Sequence, residues 1–272
     1  MSPEITGEAG LVVEDGGDGV RVMRLDRPAR LNALSWELVD ELWDAVHALR
    51  RTAGVRAVVL AGSGRGFCSG LDLQRSDDPT GAATPMVEFM GHQERLAEVM
   101  AAIRSSRVPF VAAVNGPAAG GGLALALACD LRVAAPSARF VVAFLRLGLS
   151  ACDMGVSYLL PRLVGLGTAS DMMLTGRALD AAEAHRVGLV QRLAGQGEVV
   201  EVARELATRI ATQAPYGVGM TKEVLRFNAD APSLEAAIAL ENRTQAVASR
   251  TADHEEAVHA FVERREPAFR GM

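Results

Sequence analysis

The chain is short of cysteine, aromatic side chains and positive charge. Its 272 residues include three cysteines, and aromatic residues make up 4%. Cys68, Cys129 and Cys152 are too few and too scattered for a disulfide framework, and such usage fits a reducing cytoplasm. A formal net charge of −5 argues against a general nucleic-acid binder and leaves room for a local basic patch. The N-terminal segment lacks the basic start and apolar centre of a secretory signal, so a cytoplasmic location is expected. No grouping of His, Cys, Asp or Glu has metal-ligand spacing, so no metal is expected. Neither a repeat of fixed period nor a low-complexity linker is present.

One run lacks charge altogether. Residues 108–129 carry no Asp, Glu, Lys or Arg. A membrane span is nevertheless disfavoured, because Asn115, Gly116, Pro117 and the glycines at 120–122 would break a helix midway. A buried strand, turn and helix explain the run better, and no membrane partner is expected. Hydrophobic residues at 49% and charged ones at 22% are ordinary for a soluble globular chain. A chain of 272 residues can bury a substantial core with a small appendage.

Strand and helix signals alternate along the chain. Residues 20–25 predict a strand, and Ser35 predicts a helix N-cap with Glu37 in its first turn. Trp36, Val39, Trp43 and Val46 then recur at helical spacing. Further strands are predicted at 55–61, 110–114, 131–134 and 140–142, and a helix at 86–104. Another helix is predicted to end near Leu160-Pro161-Arg162. After Ala178 the pattern turns helical, with no convincing strand run beyond Leu193. Short connections between these units suggest an α/β fold with a parallel, spiral arrangement of strands.

Chemistry concentrates in two glycine loops. At Gly120-Gly121-Gly122 a strand gives way to strong helix formers, so helix-start amides without partners lie where no Cβ blocks an approaching ligand. A phosphate loop would add Lys followed by Ser or Thr, and a dinucleotide fingerprint would read G-x-G-x-x-G; neither fits. What remains is an oxyanion: a carbonyl oxygen gaining charge in a transition state. The plainer alternative is a close helix–strand contact. A second loop, Phe67-Cys68-Ser69-Gly70-Leu71-Asp72-Leu73, has the same strand–glycine–polar character.

Phe67 to Leu73 resembles the F-C-A-G-x-D-L motif of the enoyl-CoA hydratase/isomerase (crotonase) family. Val111 to Leu131 is similar to that family's signature, position by position. Arg27-Pro28 with Leu31-Asn32-Ala33-Leu34, Leu174-Thr175-Gly176-Arg177, Ala181 through Gly188-Leu189-Val190, and Phe261 to Arg265 with Pro267 and Phe269 extend the match, in order, over nearly the whole chain. The resemblance implies a crotonase-like β-β-α spiral core with the acyl-CoA site in residues 1–200. It also implies a helical C-terminal trimerisation region in 201–272, giving a homo-trimer or hexamer. Apolar positions such as Ala237, Leu240, Ala246 and Val247 fit such a region. The implied ligand is an acyl-CoA thioester, with no cofactor beyond the coenzyme A of the substrate itself, in fatty acid metabolism.

Carried over residue by residue, the backbone N–H groups of Leu71 and Gly121 would form the oxyanion hole. Arg30, Leu31, Arg65 and Ser69 would border the coenzyme A, with Leu71, Gly121 and Phe144 at the acyl part. The two arginines could equally be solvated surface charges. The chain departs from the hydratase pattern at both usual glutamate positions, which hold Ala124 and Phe144. Neither can activate water or protonate carbon. Asp153 matches an aspartate that family isomerases use to move a proton, in a loop one residue longer than in many relatives; it could instead cap the following helix.

Blander readings apply elsewhere. Asp72 is expected to cap the segment after its loop and Asp130 to be structural. Cys152 has no His in local motif with it. Glu88 and His92, one turn apart, could line an acyl pocket or lie on a solvated helix face. Three functions are open: an isomerase-like proton shift on an unsaturated acyl-CoA, hydration through a non-standard site, or a catalytically silent acyl-CoA binder.

Overall fold

The computed structural model of the chain describes residues 5–6, 10–73 and 85–271. Strands β1 (Ile5–Thr6), β2 (Leu11–Gly17) and β3 (Val20–Leu25) form an antiparallel start. Helix α1 (Trp36–Ala48) leads into β4 (Ala57–Gly62), and α2 (Met86–Ser105) into β5 (Phe110–Val114). Next come β6 (Pro117–Ala119), α3 (Gly121–Ala128), β7 (Leu131–Ala134) and β8 (Arg139–Val141). They are followed by α4 (Val156–Thr175), β9 (Ala178–Asp180), α5 (Ala181–Arg186) and β10 (Arg192–Leu193). Helices α6 (Val199–Ala211), α7 (Pro215–Asn228), α8 (Leu234–Ala248) and α9 (Ala252–Glu263) complete the chain.

The large sheet has the order β1-β2-β3-β4-β5-β7-β10 and is parallel from β3 onward. A second sheet, β6-β8-β9, runs beside it, with β6 and β8 parallel. The chain therefore passes from large sheet to small sheet to helix as β5-β6-α3, and again as β7-β8-α4. This is the β-β-α spiral that the resemblance implies.

Strand alternation divides the core between the two faces of the large sheet. Val58, Leu60, Phe110, Ala112 and Val114 join the larger cluster, where α1, α2 and α3 pack. Ala57, Val59, Ala61, Val111 and Ala113 face Ala203, Ala207 and Ala211 of α6. Every residue of β4 and β5 is buried. Each fully buried Val or Leu contributes roughly 1.5–3 kcal/mol against exposure. Small alanines on the second face let α6 lie close to the sheet.

Local signals behave as expected in most places. The Ser35 hydroxyl accepts the Leu38 N–H at 3.3 Å and caps α1. Helix α4 has two parts: the first, which contains Pro161, ends at the break at Gly165 (φ 77°, ψ 155°), three residues past Arg162, and a second, unexpected part runs on to Thr175. The proline lies early in the helix, and the interruption comes at the residue without a Cβ that can take that conformation.

Helix α3 is buried along its whole length. Its C-terminal carbonyls cannot reach water, and Arg132 meets them instead. That guanidinium donates to Cys129 O at 2.7 Å, Ala126 O at 3.1 Å and Leu189 O at 2.6 Å. Burial lowers its pKa to about 10, so it remains charged at neutral pH. Beside it the chain's single lysine, Lys222, comes in from α7. Its ammonium lies 2.8 Å from the Asp130 carboxylate and donates to Ile103 O and Val108 O. Asp130 also accepts the Phe110 N–H at 2.8 Å, which makes its role structural.

Two predictions follow from this packing. Arg132→Met leaves buried carbonyls without donors and is expected to cost on the order of 3 kcal/mol, read as a lower denaturation midpoint in urea. Cys68 and Cys129 are buried, and burial pushes both thiols up to about 12, while Cys152 is exposed. An alkylating reagent at mildly alkaline pH should modify one thiol per native chain, at Cys152, and all three after unfolding. Mass mapping of the modified peptides checks this.

Candidate active site

Asn32 organises the first loop. It is fully buried and sits at φ 56°, a left-handed conformation that Asn tolerates better than most residues. Its amide donates to Ser63 O at 2.9 Å and Gly66 O at 2.8 Å, and its oxygen accepts the Arg27 N–H at 2.9 Å. One side chain thus ties the 27–33 turn to the 63–66 loop. Arg30, Leu31, Arg65 and Ser69 are brought together around this tie. Ser69 N–H donates to Leu31 O at 3.0 Å, and its hydroxyl reaches Arg30 O at 3.4 Å. Arg30 and Arg65 are exposed, with Leu31 half-buried between their loops.

The next residues set the direction of a free amide. Leu34 N–H donates to Gly70 O at 2.8 Å, and Leu34 O accepts Asp72 N–H at 2.9 Å. In this parallel bridge Leu71 is the residue between, so its own N–H points away from Leu34. It points to the side where Cys68 N–H meets Pro117 O, at 3.2 Å. That side carries the glycine triplet. Gly70 takes φ 95°, and a Cβ there would fall 2.9 Å from Ala119 O and 3.2 Å from Gly121 N. At Gly122 a Cβ would lie 2.0 Å from Cys68 O, so only glycine permits the two loops to approach.

Gly121 is the first residue of α3, and no side chain caps that end. Among the described residues neither Leu71 N–H nor Gly121 N–H meets an acceptor. Two unpaired donors therefore flank one opening, at the positive end of a buried helix. Such a pair suits a carbonyl oxygen that gains negative charge. The segment that Asp72 was expected to cap lies outside the described residues; its carboxylate is buried and pairs with Arg27 at 2.8 Å, which holds the strand carrying Leu71.

The far wall is apolar. Ala124 is fully buried one turn into α3, and Phe144 is 5% exposed. The Phe144 ring edge would stand 3.7 Å from a Cβ at Gly120. No carboxylate occupies either position.

Asp153 is half-buried, and it does not cap α4; Gly155 occupies that cap. Its Oδ1 accepts the Met154 N–H at 2.7 Å and the Gln93 amide at 3.0 Å. Among the described residues both bonds fall on one oxygen, leaving Oδ2 with its lone pairs. Met154 follows at φ 45° and is buried. Its Cε and Sδ would stand 3.3 and 3.5 Å from a Cβ at Gly121. Asp153 is therefore the immediate chain neighbour of a side chain packed on the Gly121 amide.

Sequence reasoning pointed to Glu88 and His92 on α2 and passed over Gln93. Glu88 is exposed. His92 is half-buried with its ring 4.7 Å from Trp36, so the fully solvated reading of that position is set aside. Its Nδ1 is buried without a partner. The residue that reaches Asp153 is one position further on. The weak amphipathicity of α2 hid which face meets the loop. Met154 gave no signal at all, since its position follows from the loop conformation. Among the described residues no group of three or more His, Cys, Asp or Glu side chains could hold a metal. No helix among them is long and apolar enough to cross a membrane.

The profile of the enoyl-CoA hydratase/isomerase family matches residues 15–272. A Mycobacterium bovis protein named as a probable enoyl-CoA hydratase is 39% identical over 95% of this chain and 92% of its own length. The 1,2-epoxyphenylacetyl-CoA isomerase of Escherichia coli is 37% identical over 93% of this chain and 95% of its own. The crystal structure of an enoyl-CoA hydratase from Bacillus anthracis superposes with a TM-score of 0.90 at 31% identity, over 97% of this chain and 100% of the other. With the spiral fold and paired loop amides already in place, these similarities settle the family: the chain belongs to the enoyl-CoA hydratase/isomerase family.

Proposed function

We propose that this chain catalyses a proton shift on an unsaturated acyl-CoA, moving a double bond through a thioester enolate. The observation that carries the reading is Asp153. It is a carboxylate tethered through one oxygen, beside Met154, which packs on Gly121. The thioester oxygen sits between the N–H groups of Leu71 and Gly121. Asp153 Oδ2 removes a proton from the acyl chain, and the electron pair moves through the conjugated carbons onto that oxygen. The two amides hold the oxyanion; losing one such donor typically costs about 10²–10³ in rate. The same proton returns to a different carbon as the carbonyl re-forms. Atoms and charge balance without any cofactor.

Gln93 and the Met154 amide hold the carboxylate in place, so they act through Asp153. Ala124 and Phe144 supply no group to activate water, which favours proton transfer over hydration. Arg30 and Arg65, on adjoining exposed loops, are placed to meet the phosphates of coenzyme A, with Leu31 and Ser69 between them. A hydratase with a non-standard water site or a silent acyl-CoA binder is the competing reading. The protein works in the cytoplasm on this view, since buried reduced thiols fit that compartment.

We further propose a homo-trimer, or two trimers paired, built through α7–α9. Helix α8 has no buried residue, and Leu225, Phe227, Ile238, Val247 and Phe261 are all more than 40% exposed. Apolar surface of that extent calls for a covering partner. Light scattering at micromolar concentration should give three or six chains; a monomer would reject this assembly.

For the chemistry, Asp153→Asn should lower double-bond migration at least a hundredfold while acyl-CoA affinity by calorimetry stays within a few-fold. Undiminished turnover would exclude Asp153 as the base. Rapid wild-type hydration of crotonyl-CoA would refute the preference for proton transfer.

A further inference from the structure

Helices α2, α3 and α4, with the end of α7, border a half-open chamber of about 800 Å³. Met100, Leu127, Leu159 and Leu163 give it an apolar wall, and Phe227 of α7, on the face proposed above as a subunit contact, also lines it. Met154 belongs to both spaces. It lines the chamber, and its thioether packs on Gly121. The helices run from one space to the other. On α2, Gln93 at Asp153 and then Met100 and Arg104 share a face, seven and eleven residues on. At 1.5 Å rise per residue, Arg104 is about 16 Å along the helix from Gln93. On α3, Leu127 follows Ala124 by one turn. Met154 therefore adjoins both Gly121 and the chamber, a flexible side chain that can serve as the partition between them.

Its charges do not balance. Asp130 is taken by Lys222 at 2.8 Å, and Asp230 by Arg162 at 2.7 Å and by the Tyr158 hydroxyl. The Arg132 guanidinium is occupied by main-chain carbonyls. Two lining guanidiniums are left over. Arg104 is half-buried and has no carboxylate partner among the described residues; Arg226 has none either and stacks over Phe227 at 4.3 Å. An apolar wall closed by unpaired cations suits a ligand with a hydrocarbon stem and an anionic tip.

We infer that the chamber receives the far end of a medium-length acyl group that terminates in a carboxylate, bound by Arg104 with Arg226 beside it. The inference rests on the acyl-CoA reading above and names its substrate class: the coenzyme A monothioester of an unsaturated dicarboxylic acid. Met154 moves aside to admit the chain, and the terminal carboxylate supplies the counter-charge that Arg104 lacks.

Calorimetry on the full-length protein tests this with decenoyl-CoA, the decenedioyl monothioester of CoA, and crotonyl-CoA. The decenedioyl ligand should bind the wild type about tenfold or more tighter than decenoyl-CoA, the worth of a charge-assisted hydrogen bond. Arg104→Gln should remove that preference without weakening decenoyl-CoA, and Arg104→Lys should restore part of it. Leu159→Trp, which fills the chamber, should weaken both ten-carbon ligands at least tenfold and spare crotonyl-CoA. Equal wild-type affinities, or a preference that survives Arg104→Gln, would overturn the inference and leave the proton-shift reading standing. Ten-carbon binding unchanged by Leu159→Trp would likewise overturn it. Failure of all three ligands to bind the wild type would overturn the acyl-CoA reading, and this one with it.

Discussion

A buried helix with nothing polar along its sides still has polar ends, and α3 shows how both are accommodated. The sides, Leu123 to Ala128, are enclosed completely. At the C-terminal end the exposed carbonyls are matched by Arg132, with the Asp130–Lys222 pair alongside. At the N-terminal end no side chain caps the helix, and the Gly121 amide is left open. The cation at the C-terminal end favours the helix dipole, and the open N-terminal end would favour an anion. The site is therefore the end of the core that was left unsatisfied, and the stability of α3 rests on Arg132 compensating the other end.

The second donor comes from strand geometry. Leu34 occupies one edge of the 68–72 segment, so Leu71 N–H must turn to the other. Asn32 fixes the turn before it and Arg27–Asp72 the residue after it. The direction of the Leu71 amide is then set by three side chains, Asn32, Arg27 and Asp72. Backbone donors held this way need no reorganisation when charge develops on a bound carbonyl.

Around that fixed pair the reactive groups are free to differ. Ala124 and Phe144 give the wall beside Gly121 an apolar character. Asp153 enters from the loop before α4, on a conformation that bonds its own neighbour's amide. The loop also brings Met154 to Gly121 and to the chamber behind it. One loop thus contributes both the Asp153 carboxylate and the Met154 side chain that borders Gly121 and the chamber.

The sequence by itself determined the spiral core and the family. Strands β3 and β5 and helix α1 have strong local patterns of apolar residues, and the glycine at 122 is required by a contact that admits no Cβ. The Leu71 and Gly121 donors were legible because they are main-chain groups whose place depends on the motif, not on a side chain. The second part of α4, beyond the break at Gly165, was not, since a proline and a glycine mark a helix end locally. Tertiary structure alone decided that Gln93, not His92, reaches Asp153. It also decided that Asp72 pairs with Arg27, and that the one lysine is buried against Asp130. Each of these pairings joins residues far apart in the chain, and which side chains meet across such distances is set by how whole helices pack, a quantity that no local pattern encodes.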